Sequence, residues 1–386
     1  MMSCFKGTGP DSGPNNDPLG TLGFPSYCHY TKGVRFVPFS LYVVFLFFQI
    51  ISSSKSWKGS PVLSSLNANQ VLDVMLKSRA DATAKSYMRV IKKFLDWCKS
   101  KQISFELPFP LGVVSLYLFE VQQSCSSSSS VILTHAALKW LHSFVPSLDC
   151  NPLDSDFCRN IIESAKRQRS QPIVKKKPIT TEIIRNILDV HNKEDSNLKD
   201  LRIAALCSLA FAGFLRYDDL CNIVPKHIEF HNDYIRIFLP RSKTDIYREG
   251  NYVYISASTS KYCPVGVLRR YLNLSGIDSN SNLPLFRPLT FHPSNSSYTL
   301  RSGKISYTRC REILRDCLSK LGYNPNNFGL HSLRSGGITS VVRNSGHSIS
   351  ERLLKIHGRW KSDSAKDMYI EESLENRLQV TKYLRL

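Results

Sequence analysis

The sequence predicts a mainly α-helical protein with a small antiparallel β-sheet, divided into an N-terminal helical bundle and a second domain that carries the sheet. Three observations lead there. From Leu63 onward apolar residues recur three and four positions apart, the spacing of one helix face. Period-two alternation is confined to Ile228–Phe230, Tyr234–Leu239 and Tyr252–Ile255, with Asn232 and Asp233 as a turn. A Lys- and Arg-rich stretch around Pro172 and Pro178 separates two long helical regions.

Residues 1–57 form an atypical leader, disordered or apolar. Its run Phe36–Ile51 offers about 16 mostly apolar residues where a membrane helix wants about 20, so membrane anchoring is not expected. Residues 58–170 form the bundle. Val71, Leu72, Met75 and Leu76, then Tyr87, Val90, Ile91, Phe94, Leu95 and Cys98, mark amphipathic helices. Leu111–Gln123, Val131–Phe144 and Phe157–Lys166 follow, with Ser124–Ser130 as a loop. Residues 171–179 are a basic linker, and 180–386 the second domain. Thr180 is placed to N-cap its first helix. A long apolar helix, Leu201–Leu215, precedes the strands; helices at Val265–Leu274, Ser306–Leu321, Ser332–Asn344 and Ser350–His357 come after them.

With 386 residues, 42% of them hydrophobic, the chain can bury two cores. Lys and Arg total 51 against 31 Asp and Glu, a net charge of +20, which calls for a polyanionic partner and not a small neutral substrate. The 11 cysteines are odd in number and contain no C-x-x-C pair, so a disulfide framework and a zinc ribbon are both unsupported and a reducing compartment is expected.

Four segments place polar residues where a plain core would not. Arg216 ends an apolar helix in Ala212-Gly213-Phe214-Leu215-Arg216-Tyr217-Asp218-Asp219-Leu220, with Asp219 three positions on; a capping ion pair explains it as well as a site does. Lys243 lies in Arg241-Ser242-Lys243-Thr244-Asp245 at a hairpin tip, where solvated lysines are usual. His331 and Arg334 share one face of a helix's first turn, a setting that favours an anion. Trp360 follows His357-Gly358-Arg359, and Tyr369 stands nine residues later; such a pair alone reads as core. Lys166, Arg167, Arg169, Lys175, Lys176 and Lys177 form either a solvated linker or a strap along phosphates.

Taken in order, these segments resemble the tyrosine recombinases, or phage integrases. The resemblance covers roughly residues 180–375, and the wording S-K-T-D, H-S-L-R-S-G-G and H-G-R-W-K-S is most similar to the eukaryotic Crypton- and DIRS-type mobile elements. By position more than by motif, the bundle is similar to the family's SAM-like core-binding domain. The resemblance implies a catalytic set of Arg216, Lys243, His331, Arg334, Trp360 and Tyr369. Trp360 is a substitution known at the sixth position, and His357 is not the matching residue.

Those roles make chemical sense. Guanidinium groups suit the charge that grows on a phosphodiester in its transition state. A phenolate assisted by a base such as His331 is a competent nucleophile. Lys243 can protonate the leaving 5′ oxygen. No metal or other cofactor is expected, because the Asp and Glu residues are not clustered. The resemblance further implies double-stranded DNA clamped between the two domains, a homotetramer on DNA, a 3′-phosphotyrosine intermediate, no small-molecule substrate, and a nuclear location if the source is eukaryotic, otherwise a cytoplasmic one. A domesticated DNA-binding protein and a type IB topoisomerase are the alternatives.

Overall fold

The computed structural model describes residues 74, 76–145, 149–169, 174–243, 245, 247–346 and 348–382. The leader with its apolar run, and Val71, Leu72 and Met75, lie outside them. The chain divides into two compact units, residues 1–172 and 173–386. Among the described residues no helix is long and apolar enough to cross a membrane.

Among the described residues of the first unit, four helices form the bundle: α1 (Asp81–Ser100), α2 (Leu111–Ser124), α3 (Ser128–His142) and α4 (Asp156–Arg169). Helix α1 buries Ile91, Phe94, Leu95 and Cys98, the i, i+3, i+4, i+7 stripe of an amphipathic helix. Phe94 sits edge-on to Phe109 at 4.9 Å and 5.0 Å from Tyr117. The serine run is partly helical: Ser127 accepts from the amide of Ser129 and caps α3, because a short hydroxyl side chain satisfies a helix-end amide better than solvent alone. His142 is fully buried, its Nε2 accepting from the Phe109 amide at 3.1 Å.

The second unit is built around α6 (Leu198–Ala212), buried on nearly all sides and packed by α5 (Thr181–His191), α8 (Pro264–Ser275) and α10 (His331–Ser345). Thr180 caps α5 by accepting from the Ile183 amide. Helix α6 stops at Ala212, three residues before the expected end, since Phe214 turns to a φ of +45° and starts a new direction. Arg216 therefore precedes the short helix α7 (Tyr217–Leu220). Strands β1 (Ile228–Phe230), β2 (Tyr234–Leu239) and β3 (Asn251–Ser256) form an antiparallel sheet in the order β1-β2-β3, with Ile237 opposite Ile228 on one side and Val253 on the other. A second hairpin, β4 (Leu289–His292) with β5 (Ser297–Leu300), has no counterpart in the sequence reading.

Helices α9 (Tyr307–Lys320), α11 (Glu351–Gly358), α12 (Asp363–Asp367) and α13 (Leu374–Lys382) complete the chain. Gly336 and Gly337 let α10 close on its neighbours: a Cβ at Gly336 would come within 2.0 Å of the Ile179 carbonyl, and one at Gly337 within 2.2 Å of Phe211's. That approach brings His331 and Arg334 beside the end of α6.

Candidate active site

The turn after α6 and the turn after α11 face one another, and buried arginines cross-link them. Arg334, fully buried on α10, donates to the Phe214 carbonyl from Nη1 and to the Gly358 carbonyl from Nη2 at 2.5 Å. Its guanidinium lies 4.2 Å from the centre of the Trp360 ring and 5.1 Å from that of Tyr369, a doubly stacked cation. Burial first, then the positive charges of Arg216 and Arg359, lower its pKa. Arg216 is more open, with 11% of its side chain exposed. Its amide donates to Asp219 Oδ2 at 3.2 Å, whereas its Nη1 stands 3.9 Å from that oxygen and has no hydrogen-bond partner.

Trp360 is buried with its indole N–H unpartnered, and it packs 5.4 Å from Tyr369. The Tyr369 ring is half-buried and nearly parallel to His331, at 6.4 Å and 17°. Two anchors fix its backbone. Thr339 Oγ1 donates to the Tyr369 carbonyl at 3.3 Å and accepts from the Glu371 amide at 3.2 Å. The Tyr369 amide donates to Lys366, whose buried ammonium is paired with Glu351 and Asp367.

His331 opens α10 and is exposed, yet its pKa lies below the ordinary histidine value. Desolvation is the main cause, followed by the charges of Arg334, Arg216 and Lys243. Neutral imidazole is thus its form at pH 7. Free helix amides contribute less here than expected, because Ser332 and Leu333 give theirs to the carbonyls of Gly329 and Leu330. Lys243 is exposed on the β2–β3 hairpin, which Asp245 closes by accepting from the amides of Glu249 and Gly250. His357 Nε2 donates to the Ala212 carbonyl, 2.8 Å away, and the ring packs edge-on to Phe214. It braces the turn after α6.

The basic stretch departs from a uniform solvated strap. Lys166 pairs with Glu163 at 2.6 Å, and Arg169 turns back onto the Cys125 carbonyl. Arg167 is exposed. Lys176 reaches the Asn326 carbonyl and the Lys177 amide donates to Asn327, so this segment is laid along the loop before α10, with the side chains of Lys175 and Lys177 exposed.

No protein-family model matches the chain. An integrase/recombinase XerD homologue from Selenomonas ruminantium is 27% identical over 310 residues, spanning 80% of this chain and 86% of that protein. The XerH site-specific recombinase in its post-cleavage complex with palindromic difH substrate superposes with a TM-score of 0.53 at 14% identity, over 90% of this chain and 95% of that one. Its pre-cleavage complex gives 0.51 at 15% identity, over 88% and 94%. At such identities the structural likeness is one of fold; the curated relative adds likeness of sequence along most of both chains.

Two further residues belong to the site: Asp219, read from sequence only as a capping partner of Arg216, and Arg359, which was not singled out. Asp219, buried, has Oδ2 within 3.6 Å of Arg359 as well as near Arg216. Arg359 is itself buried, at a φ of +56°, and donates to the carbonyls of Gly213, Phe214 and His357. The R-x-x-D spacing pointed to Asp219. Nothing in the sequence pattern points to Arg359, because the Gly213 and Phe214 carbonyls it bonds lie some 145 positions away.

Proposed function

We propose that the chain is a site-specific DNA recombinase that cleaves and rejoins duplex DNA through a covalent 3′-phosphotyrosine, with Tyr369 as nucleophile and no metal ion. The observation that carries this is the gathering of Tyr369, Trp360, Arg334 and His331 around one point, with ring and guanidinium centres 4.2 to 6.4 Å apart. Three separate segments supply them, and a core does not require an arginine and a histidine placed against one tyrosine ring.

In the proposed reaction the scissile phosphate sits against Arg216, whose Nη1 lacks a partner. Neutral His331 assists removal of the phenol proton. The phenolate oxygen attacks phosphorus, the bond to the 5′ oxygen breaks, and Lys243 supplies the proton that the leaving oxygen takes. Arg334 and the Trp360 indole N–H stabilise the growing charge. Both outer nitrogens of Arg334 are bonded to carbonyls and its face is covered by two rings, so Tyr369 must lift as the phosphate arrives.

The motif wording supports a mobile element of Crypton or DIRS type as the source, hence DNA in a nucleus. Leu374 and Leu378, both exposed on α13, support a role for the tail in joining copies into a tetramer. The test is a nicked suicide duplex, incubated in excess chelator and run on a denaturing gel. Wild type should give a protein–DNA adduct and Tyr369→Phe none, with duplex binding retained. An adduct that persists in Tyr369→Phe would move the nucleophile elsewhere. Binding without an adduct in wild type would favour a domesticated binder, and relaxation of supercoils by a monomer a topoisomerase.

A further inference from the structure

We propose that Arg359 is a positioning residue: it takes up the charge of Asp219 and thereby keeps Arg216 available to the phosphate. The inference rests on the recombinase reading above and adds a residue that does not touch the substrate. Asp219 is buried, and its Oδ2 faces three groups: the Arg216 amide at 3.2 Å, Arg359 Nη2 at 3.6 Å and Arg216 Nη1 at 3.9 Å. Arg359 is engaged on every outer nitrogen. Nη1 donates to the carbonyls of His357 at 2.7 Å and Gly213 at 3.2 Å, and Nη2 to those of Phe214 at 3.0 Å and Gly213 at 3.3 Å. Its guanidinium is therefore committed to the turn that leads into Arg216 and to the carboxylate beneath it.

A buried carboxylate with one cation draws that cation into a close pair, since nothing else offsets its desolvation. With Arg359 also beside Asp219, Arg216 is held near the carboxylate by its amide while Nη1 stays unbonded. The charge count agrees. Arg216, Arg334 and Arg359 against Asp219 leave two positive charges, which match a phosphoryl group whose single charge grows toward two in the transition state. Arg359 also sits at φ +56°, ψ +43°, a backbone region that glycine occupies without strain. An arginine in that place is held by what its side chain does.

The experiment uses the full chain and the nicked substrate, reading the single-turnover cleavage rate, duplex affinity and thermal melting for Arg359→Gly, Arg359→Lys and Arg359→Gly combined with Asp219→Asn. Arg359→Gly suits the backbone and removes the whole side chain, guanidinium included; its cleavage should fall about 100-fold or more with duplex affinity little changed. Neutralising Asp219 in that background removes the competitor for Arg216, so the double variant should cleave about tenfold faster than Arg359→Gly alone. A purely structural role predicts the reverse, a double variant worse than Arg359→Gly alone. Arg359→Lys, which keeps the charge, should cleave faster than Arg359→Gly. Wild-type cleavage by Arg359→Gly, a double variant no faster than it, or a lysine variant as slow as it would each overturn the proposal. A wild type that forms no adduct would instead remove the recombinase reading itself.

Discussion

The two halves of the site are built from opposite materials. On one side Arg334 and Arg359 are buried and bonded to backbone carbonyls of two facing turns, with Asp219 beneath them. On the other, Lys243 is exposed on a hairpin, His331 is exposed at a helix start, and Tyr369 is half-buried on the segment after α12. Fixed charge works best when it need not reorganise as the transition state forms. In the proposed reaction a proton donor, a base and a nucleophile must meet atoms that arrive with the substrate, which accords with the open positions of Lys243, His331 and Tyr369. Substitutions on the open side should change chemistry without changing stability, and those on the buried side should change both.

The largest effect is expected at Lys243. Lys243→Ala should slow cleavage by about 10²–10⁴-fold, the range for loss of a general acid, and leave melting unchanged because the side chain is exposed. A substrate with sulfur at the 5′ bridging position should restore most of the rate, since a thiolate leaves without a proton. No rescue would remove the lysine from that role. Arg216→Ala, next in size, should cost about 2.7–4 kcal/mol of transition-state stabilisation, as for one oxyanion donor, with duplex affinity retained. Equal losses of affinity and rate would make Arg216 a contact that merely positions DNA.

Arg334→Ala sharpens the contrast between the halves. It should lower folding stability by about 3–5 kcal/mol as well as slowing cleavage, because it leaves Asp219 with one less neighbouring cation and strands the Phe214 and Gly358 carbonyls in the interior. Denaturant melts of both arginine variants check this; equal stability would erase the distinction. A pH series probes His331. Its lowered pKa keeps the imidazole neutral as pH falls to the ordinary value of 6.5, so the acid limb of cleavage should begin below that value and vanish in His331→Gln. The sign is the same for folding. A histidine held neutral when folded contributes stability above the unfolded pKa and loses it as pH falls, and buried His142 should add to this in the first unit.

Helices and strand β2 were legible because their periods survive over six or more residues: β2 alternates buried Ile235, Ile237 and Leu239 with half-exposed Tyr234, Arg236 and Phe238. The shorter β1 was read beside it, across the Asn232–Asp233 turn, whereas the β4–β5 hairpin was not read. The candidate residues could be named because each is a rare type in an apolar or turn setting, as Arg216 is after α6. What could not be read was which guanidinium is open and which is buried. Arg216 and Arg334 looked equivalent as forks for a phosphate, yet one has an unbonded nitrogen and the other is bonded across two turns. That difference depends on Phe214 and Arg359 both adopting positive φ, which neither residue type announces.

The smallest effect concerns the basic stretch, and it separates lysines that looked alike. Each phosphate contact contributes about 0.9 to the slope of log affinity against log salt, with no dependence on sequence. Lys175 and Lys177 have exposed side chains, whereas the Lys176 ammonium is bonded to the Asn326 carbonyl and Lys166 is paired with Glu163. Replacing Lys175 and Lys177 by alanine should therefore lower the slope by about 0.9 each on cognate and random duplexes alike. Lys176→Ala should change it less, because its donor is already in use and its loss mainly frees the loop before α10. Salt titrations of the single variants on one fluorescent duplex distinguish these outcomes. A slope that falls equally for all three lysines would mean that DNA binding breaks the Lys176–Asn326 bond and uses the segment as one strap; a slope that does not move would place the phosphate path away from this segment, and Arg167, exposed at the end of α4, would be the next residue to replace.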